Sequence, residues 1–180
     1  ASSGLAVSLD GAAGQDTLSF NWSQLTTGLS FQVNGSTITS DFGSFTNFET
    51  FGIRAGSGND TITTGDGDDF IATGAGVDTV NAGAGNDGIE ITASGGTIDG
   101  GAGDDYFVIY DLTTAFAGSI IGGDGQDKLT LQATTMTSDM SFVVNGSNIT
   151  SNIGTFSGFE QFEFHLGSGN DTVTGGNGDD

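Results

Sequence analysis

Between Ala55 and Val108 the apolar residues return at every ninth position, and so do the polar residues between them. The stretch divides into AGSGNDTIT, TGDGDDFIA, TGAGVDTVN, AGAGNDGIE, ITASGGTID and GGAGDDYFV. The eighth place is always apolar: Ile62, Ile71, Val80, Ile89, Ile98 and Phe107. Glycine holds the fourth place in five of the six, and aspartate holds the sixth place as Asp60, Asp69, Asp78, Asp87 and Asp105, with Gly96 as the exception. Such a unit predicts six residues of turn, in which glycine supplies positive φ. Three residues of strand follow, with the middle side chain pointing inward. One unit cannot bury its own apolar residue, so the units must stack. The pattern therefore predicts an all-β fold, a right-handed parallel β-roll or β-solenoid. Two nonapeptides close one flattened coil, and successive coils lie about 4.8 Å apart.

Outside this stretch a longer period takes over. Gly11–Asp16 returns as Gly122–Asp127, Ser30–Ser36 as Ser141–Ser147, Phe48-Glu49 as Phe159-Glu160, and Gly56–Thr61 as Gly167–Thr172, each 111 residues later. The constant offset marks a tandem duplication. It divides the chain into a β-rich segment over 1–54 with one nonapeptide at 11–19, and a roll of six nonapeptides over 55–108. A linker and the second β-rich segment follow over 109–165, with a nonapeptide at 122–130, and then the start of a second roll over 166–180. The chain reads as a piece of a longer protein. In the β-rich segments, Asn34-Gly35 and Asn145-Gly146 stand between alternating strands and predict hairpins. Phe31, Val33 and Ile38 then share one face. Phe42, Phe45, Phe48 and Phe51, matched by Phe156, Phe159, Phe162 and Phe164, predict extra β coils with a thick aromatic core.

Charge turns this scaffold into a chemical problem. The 180 residues include 23 Asp and Glu against 2 Lys and Arg, a formal net charge of −21, with 33 Gly and no Cys or Pro. Clustered cations for nucleic acid are missing, a disulfide framework is excluded, and no run of about 20 apolar residues is available to span a membrane. Residues eighteen apart stack, so Asp60 lies over Asp78 on one rim and Asp69, Asp87 and Asp105 share the other. Two carboxylates about 4.8 Å apart repel by about 0.9 kcal/mol in bulk water and about 3.5 kcal/mol at an effective dielectric of 20. A hard divalent cation reverses that sign. Calcium, which takes six to eight oxygen ligands, suits two carboxylates plus turn carbonyls better than magnesium does.

These nonapeptides resemble the GGxGxDxUx signature of RTX (repeats-in-toxin) proteins. The resemblance implies a calcium-binding β-roll, secretion by bacterial type I export and folding on external calcium. It implies Asp60, Asp69, Asp78, Asp87 and Asp105 as carboxylate ligands, with Asp16, Asp127, Asp171 and Asp180 matching the same position. Carbonyls of Ser57, Ala75, Ala84 and Ala102 would complete the shells. Good sites are expected between Asp60 and Asp78, Asp69 and Asp87, and Asp87 and Asp105. The turn Ile91–Gly96 lacks its aspartate, so the site facing Asp78 there should be weak or empty. Asp16 and Asp127 have no partner eighteen residues away. Glu49 is expected to cap the site above Asp69, and Glu160 to do the same in the second copy.

Other chemistry is thin. Gly83–Gly88 fits GxGxxG, but a strand rather than a helix follows it. Asp66-Gly-Asp68 lacks the rest of an EF-hand loop. His165 is the lone histidine and aligns with Arg54, which marks a surface residue, so no enzyme is expected. Thr61, Thr79 and Thr97 should form an outward column, the sole hint of an ice-binding face. The expected function is a calcium-dependent structural module of a large secreted or cell-surface bacterial protein, such as an adhesin, surface layer or filament, with further copies as possible neighbours. The alternative is the export and folding region of a secreted hydrolase or toxin.

Overall fold

The computed structural model describes residues 7–92, 94–110, 112 and 114–175. The first β-rich segment supplies β1 (Val7–Asp10), β2 (Thr17–Asn21), β3 (Ser30–Asn34), β4 (Thr37–Ser40), β5 (Gly43–Thr46) and β6 (Thr50–Arg54). The nonapeptides supply β7 (Thr61–Gly65), β8 (Phe70–Ala72), β9 (Val77–Ala84), β10 (Gly88–Ile91), β11 (Gly95–Ala102) and β12 (Tyr106–Ile109). The remainder forms β13 (Ala117–Asp124), β14 (Lys128–Gln132), β15 (Ser141–Asn145), β16 (Asn148–Ser151), β17 (Thr155–Ser157), β18 (Gln161–His165) and β19 (Thr172–Thr174). Among the described residues no helix is long and apolar enough to cross a membrane.

Two walls face each other. One runs β1-β5-β4-β3-β7-β9-β11-β13-β17-β16-β15-β19, the other β18-β14-β12-β10-β8-β6-β2. Chain-adjacent strands of the nonapeptides alternate between walls, and each pairs in parallel with the strand one coil away. The inward places of the nonapeptides form two ladders. Phe31, Ile62, Val80, Ile98, Ile120 and Phe156 are neighbours in register along the first wall. Ile53, Ile71, Ile89, Phe107 and Leu129 run along the second. All are essentially buried, each worth about 1.5–3 kcal/mol of apolar transfer. Thr61, Thr79 and Thr97 do stack on the outer surface, flanked in register by Ser30 and Ser119.

Two features differ from the sequence expectation. In the first wall β9, β11 and β13 are eight residues long, because the ladder continues through the turn: Gly83 pairs with Gly101 and Gly101 with Gly123. Identical turns stacked one above another keep the parallel spacing that strands use. The aromatic segment is also more than a hairpin. β3, β4 and β5 form an antiparallel three-stranded meander inserted into an otherwise parallel wall, and β15, β16 and β17 repeat it. The facing wall has only β6 where the first wall has these three strands. Aromatic rings fill the resulting wedge: Phe20 stacks on Trp22 at 4.3 Å, and Phe31 meets Phe51 edge-on at 5.5 Å.

Candidate metal centre

Each aspartate of the nonapeptides stands at the entry to a strand, immediately before it or, for Asp78, as the second residue of β9, so in-register strands place the aspartates in line. On one rim Asp69, Asp87 and Asp105 precede β8, β10 and β12. A single hydrogen-bond pattern ties the rungs: each carboxylate reaches back to the amide of the coil before. Phe51 N–H donates to Asp69 Oδ1 at 2.6 Å, Asp69 N–H to Asp87 Oδ1 at 2.7 Å, and Asp87 N–H to Asp105 Oδ1 at 2.8 Å. On the other rim Leu29 N–H donates to Asp60 Oδ1 at 2.7 Å and Asp60 N–H to Asp78 Oδ1 at 2.9 Å. Gly96 is level with Asp78 one coil on, where no carboxylate stands. Asp171 accepts from Met140 N–H at 2.9 Å, the counterpart of Asp60 and Leu29.

Glycine makes the close stacking possible. At Gly101, φ is +104° and an added Cβ would collide with the Gly83 carbonyl of the coil below. Only a residue without a Cβ fits both demands.

The second carboxylate oxygen tells the chemistry. Oδ2 of Asp16, Asp60, Asp69, Asp78, Asp87, Asp105 and Asp127 is buried and has no hydrogen-bond partner. Apart from Asp16, these side chains belong to residues at most 3 % exposed. A buried charge without a partner costs several kcal/mol. The chain's own cations lie elsewhere: Lys128 pairs with Glu163 at 2.8 Å, and Arg54 with Glu90 at 3.6 Å. Burial accordingly pushes the carboxyls of Asp78 and Asp87 up to about 7 and those of Asp69 and Asp105 up to about 6. The neighbouring rungs push in the same direction, Asp60 on Asp78 and Asp105 with Asp69 on Asp87. Burial raises Asp60 and Asp127 too.

Among the described residues no three carboxylates or imidazoles converge on one point. A cation in the column would therefore meet two side chains and take its other ligands from backbone carbonyls, a donor set made wholly of hard oxygen. Of the carbonyl candidates, Ala84 and Ala102 lie level with each other on the turn ladder. The Ala102 carbonyl also accepts from Gly85 N–H at 2.9 Å. Ser57 and Ala75 occupy equivalent turns on the opposite rim, both exposed. Orphaned buried oxygens, absent protein cations and an all-oxygen donor set fit a calcium ion.

Strand register overturns the expected place of Glu49. Glu49 does not sit over Asp69: β2 and β6 pair Thr17 with Thr50, which brings Glu49 beside Asp16, while Phe51 is level with Asp69. Asp16 and Asp127 do have neighbours, at sequence separations that counting in nines cannot reveal. Asp127 follows Asp105 in the column, and Glu160 follows Asp127. Asp180 lies outside the described residues. Asp99, absent from the sequence reading, is raised by burial and adds to the negative field at Asp105.

Comparison with known families gives one finding. A model described as the RTX calcium-binding nonapeptide repeat matches four copies over residues 54–89, 97–108 and 164–180. These segments hold Asp60, Asp69, Asp78, Asp87, Asp105 and Asp171, and omit Asp16, Glu49, Asp127 and Glu160. No curated protein and no solved structure matches the chain.

Proposed function

We propose, for a chain that belongs through its nonapeptides to the RTX calcium-binding repeat family, that it is a structural spacer or assembly module of a secreted or cell-surface bacterial protein and folds when calcium is supplied. The observation that carries this is the row of buried, partnerless Oδ2 atoms. Asp60 with Asp78, Asp69 with Asp87, and Asp87 with Asp105 would hold the ions. Bound there, calcium supplies the positive charge that the rims lack and oxygen bonds that tie one coil to the next.

The residues do the rest. Oδ1 of each aspartate fixes the carboxylate by accepting an amide hydrogen from the adjacent coil. This leaves Oδ2 free for a cation. Without a cation, the same carboxylates repel along the column and oppose stacking, and a chain of charge −21 gains by staying extended. Binding free energy then becomes folding free energy. A calcium-poor interior and a calcium-rich exterior would keep such a chain exportable and fold it outside.

A non-catalytic role is supported by the surroundings of His165, which is exposed and contacts Glu163 at 3.0 Å. The structural reading is favoured over an export region by the 111-residue unit, whose pairing order recurs as β13-β17-β16-β15-β19 after β1-β5-β4-β3-β7. Repeats of this kind build length.

Far-ultraviolet circular dichroism with and without a chelator tests the reading. The β signal should collapse on chelation and return with calcium. A spectrum that stays unchanged on chelation would overturn the coupling of folding to the ion.

A further inference from the structure

We infer that the cation column does not stop at the roll of six nonapeptides: Asp127 with Glu160, and Asp16 with Glu49, form additional sites for a hard divalent cation at the joint between 111-residue units. This rests on the calcium reading above and extends it to residues outside the matched repeats.

The first ground is register. β12 and β14 pair Tyr106 with Lys128, and β14 and β18 pair Lys128 with Gln161. The residues just before these strands are Asp105, Asp127 and Glu160, so they occupy successive rungs. The second ground is the hydrogen-bond signature. Asp105 N–H donates to Asp127 Oδ1 at 2.8 Å, and Asp127 N–H to Glu160 Oε2 at 2.9 Å. Asp16 N–H donates to Glu49 Oε2 at 3.0 Å in the first copy. The nonapeptide rungs use the same pattern.

The third ground is the orphaned oxygen. Asp127 is 0 % exposed, and its Oδ2 has no partner. Asp16 Oδ2 is likewise buried and unpaired. A fourth ground is the arrangement of carbonyls. A Cβ added at Gly100 would collide with Asp105 Oδ2 and lie 2.6 Å from the Gly122 carbonyl oxygen. A Cβ added at Gly122 would collide with the Gly158 carbonyl and lie 2.8 Å from Asp127 Oδ2. The same cradle of carboxylate and carbonyl oxygen thus recurs one rung further on, where no nonapeptide turn follows.

The change from aspartate to glutamate has a local cause. β18 is entered directly from the meander through Gly158, at φ +72°, and Phe159, which is buried. There is no six-residue turn to lift the backbone toward the rim, and one more methylene supplies the reach. The glutamate also ends the column. In the first copy, where the next coil is described, Phe51 rather than Glu49 is level with Asp69. Each full run is therefore Asp69, Asp87, Asp105, Asp127 and Glu160.

The test uses the whole chain and calcium alone as probe. Bound calcium is measured by equilibrium dialysis with metal analysis for the native chain, for E160Q, for E49Q/E160Q and for D87N. Glutamine keeps the oxygen that accepts the Asp127 and Asp16 amide hydrogens, so folding in saturating calcium should persist. The double variant should lose about one calcium per substituted glutamate. If it loses its β signal, E160Q, altered at an exposed residue, gives the reading alone. Native stoichiometry and affinity in the glutamine variants, alongside a loss in D87N, would overturn the joint sites and leave the nonapeptide sites standing. A native chain that binds no calcium would overturn both.

Discussion

At the scale of single residues, the decisive quantity is the protonation of buried aspartates. In the ion-free fold Asp78 and Asp87 are raised to about 7, and Asp69 and Asp105 to about 6, from an ordinary 3.8. Burial is the first cause, and like charge adds to it, from neighbouring rungs at Asp78, Asp87 and Asp105 and from the adjacent Asp68 at Asp69. The folded chain then binds more protons than the unfolded chain across that interval. The stability these four groups contribute is fully present below the ordinary carboxylate range and is lost as pH rises through 6 to 7. In chelator, the β signal should be stronger near about pH 5 than near about pH 7.5. With calcium the order should reverse, because protons compete with the ion for the same oxygens. Circular dichroism across pH checks both arms, and a chelated chain that gains β structure as pH rises would refute the assigned burial.

At the scale of elements, the turn is as much a packing device as a chain reversal. Gly101 has φ +104° and faces the Gly83 carbonyl, whereas Gly88 would give an added Cβ only ordinary contact, 3.6 Å from Phe70 Cδ2. Gly101→Ala should cost about 1–3 kcal/mol from backbone strain alone, and more where the coils are forced apart. Gly88→Ala should change stability by about 0.5 kcal/mol or less. Denaturant midpoints in saturating calcium measure the difference, and equal costs would show that the turns are looser than the ladder implies. The same elements show what sequence could reveal. Nonapeptide strands were legible because their period is local: Ile62, Val80 and Ile98 are eighteen residues apart, and stack. The aromatic meander was only half legible. Asn34-Gly35 marks one reversal between β3 and β4. Nothing comparable marks the return through Asp41 and Phe42 to β5, because that register is set by contacts across the wedge. For the same reason counting in nines sets Glu49 against the wrong aspartate. Its partner Asp16 is 33 residues away across the meander, a distance that no repeat length encodes.

At the scale of the whole molecule, one wall carries two more strands than the other wherever a meander enters, an excess of about 10 Å at strand spacing. The wedge closes only because Phe20, Trp22, Phe31, Phe42, Phe45 and Phe51 fill it. This aromatic mass is not a separate domain. Phe31 lies in the same ladder as Ile62 and Val80, and Phe51 N–H bonds to Asp69 Oδ1, so core and rim both run from the wedge into the nonapeptides. The wedge thus has no stacking partner of its own once the coils separate, and a solenoid coupled through every neighbour should melt as one unit. Trp22, the single tryptophan, reports on it directly because it stacks between Phe20 at 4.3 Å and Phe42 at 5.0 Å. On titration with chelator its emission should shift to the red at the same free calcium at which the β signal is lost. A blue-shifted tryptophan that survives the loss of β signal would mean that the wedge folds on its aromatic core alone and that calcium governs only the nonapeptide coils.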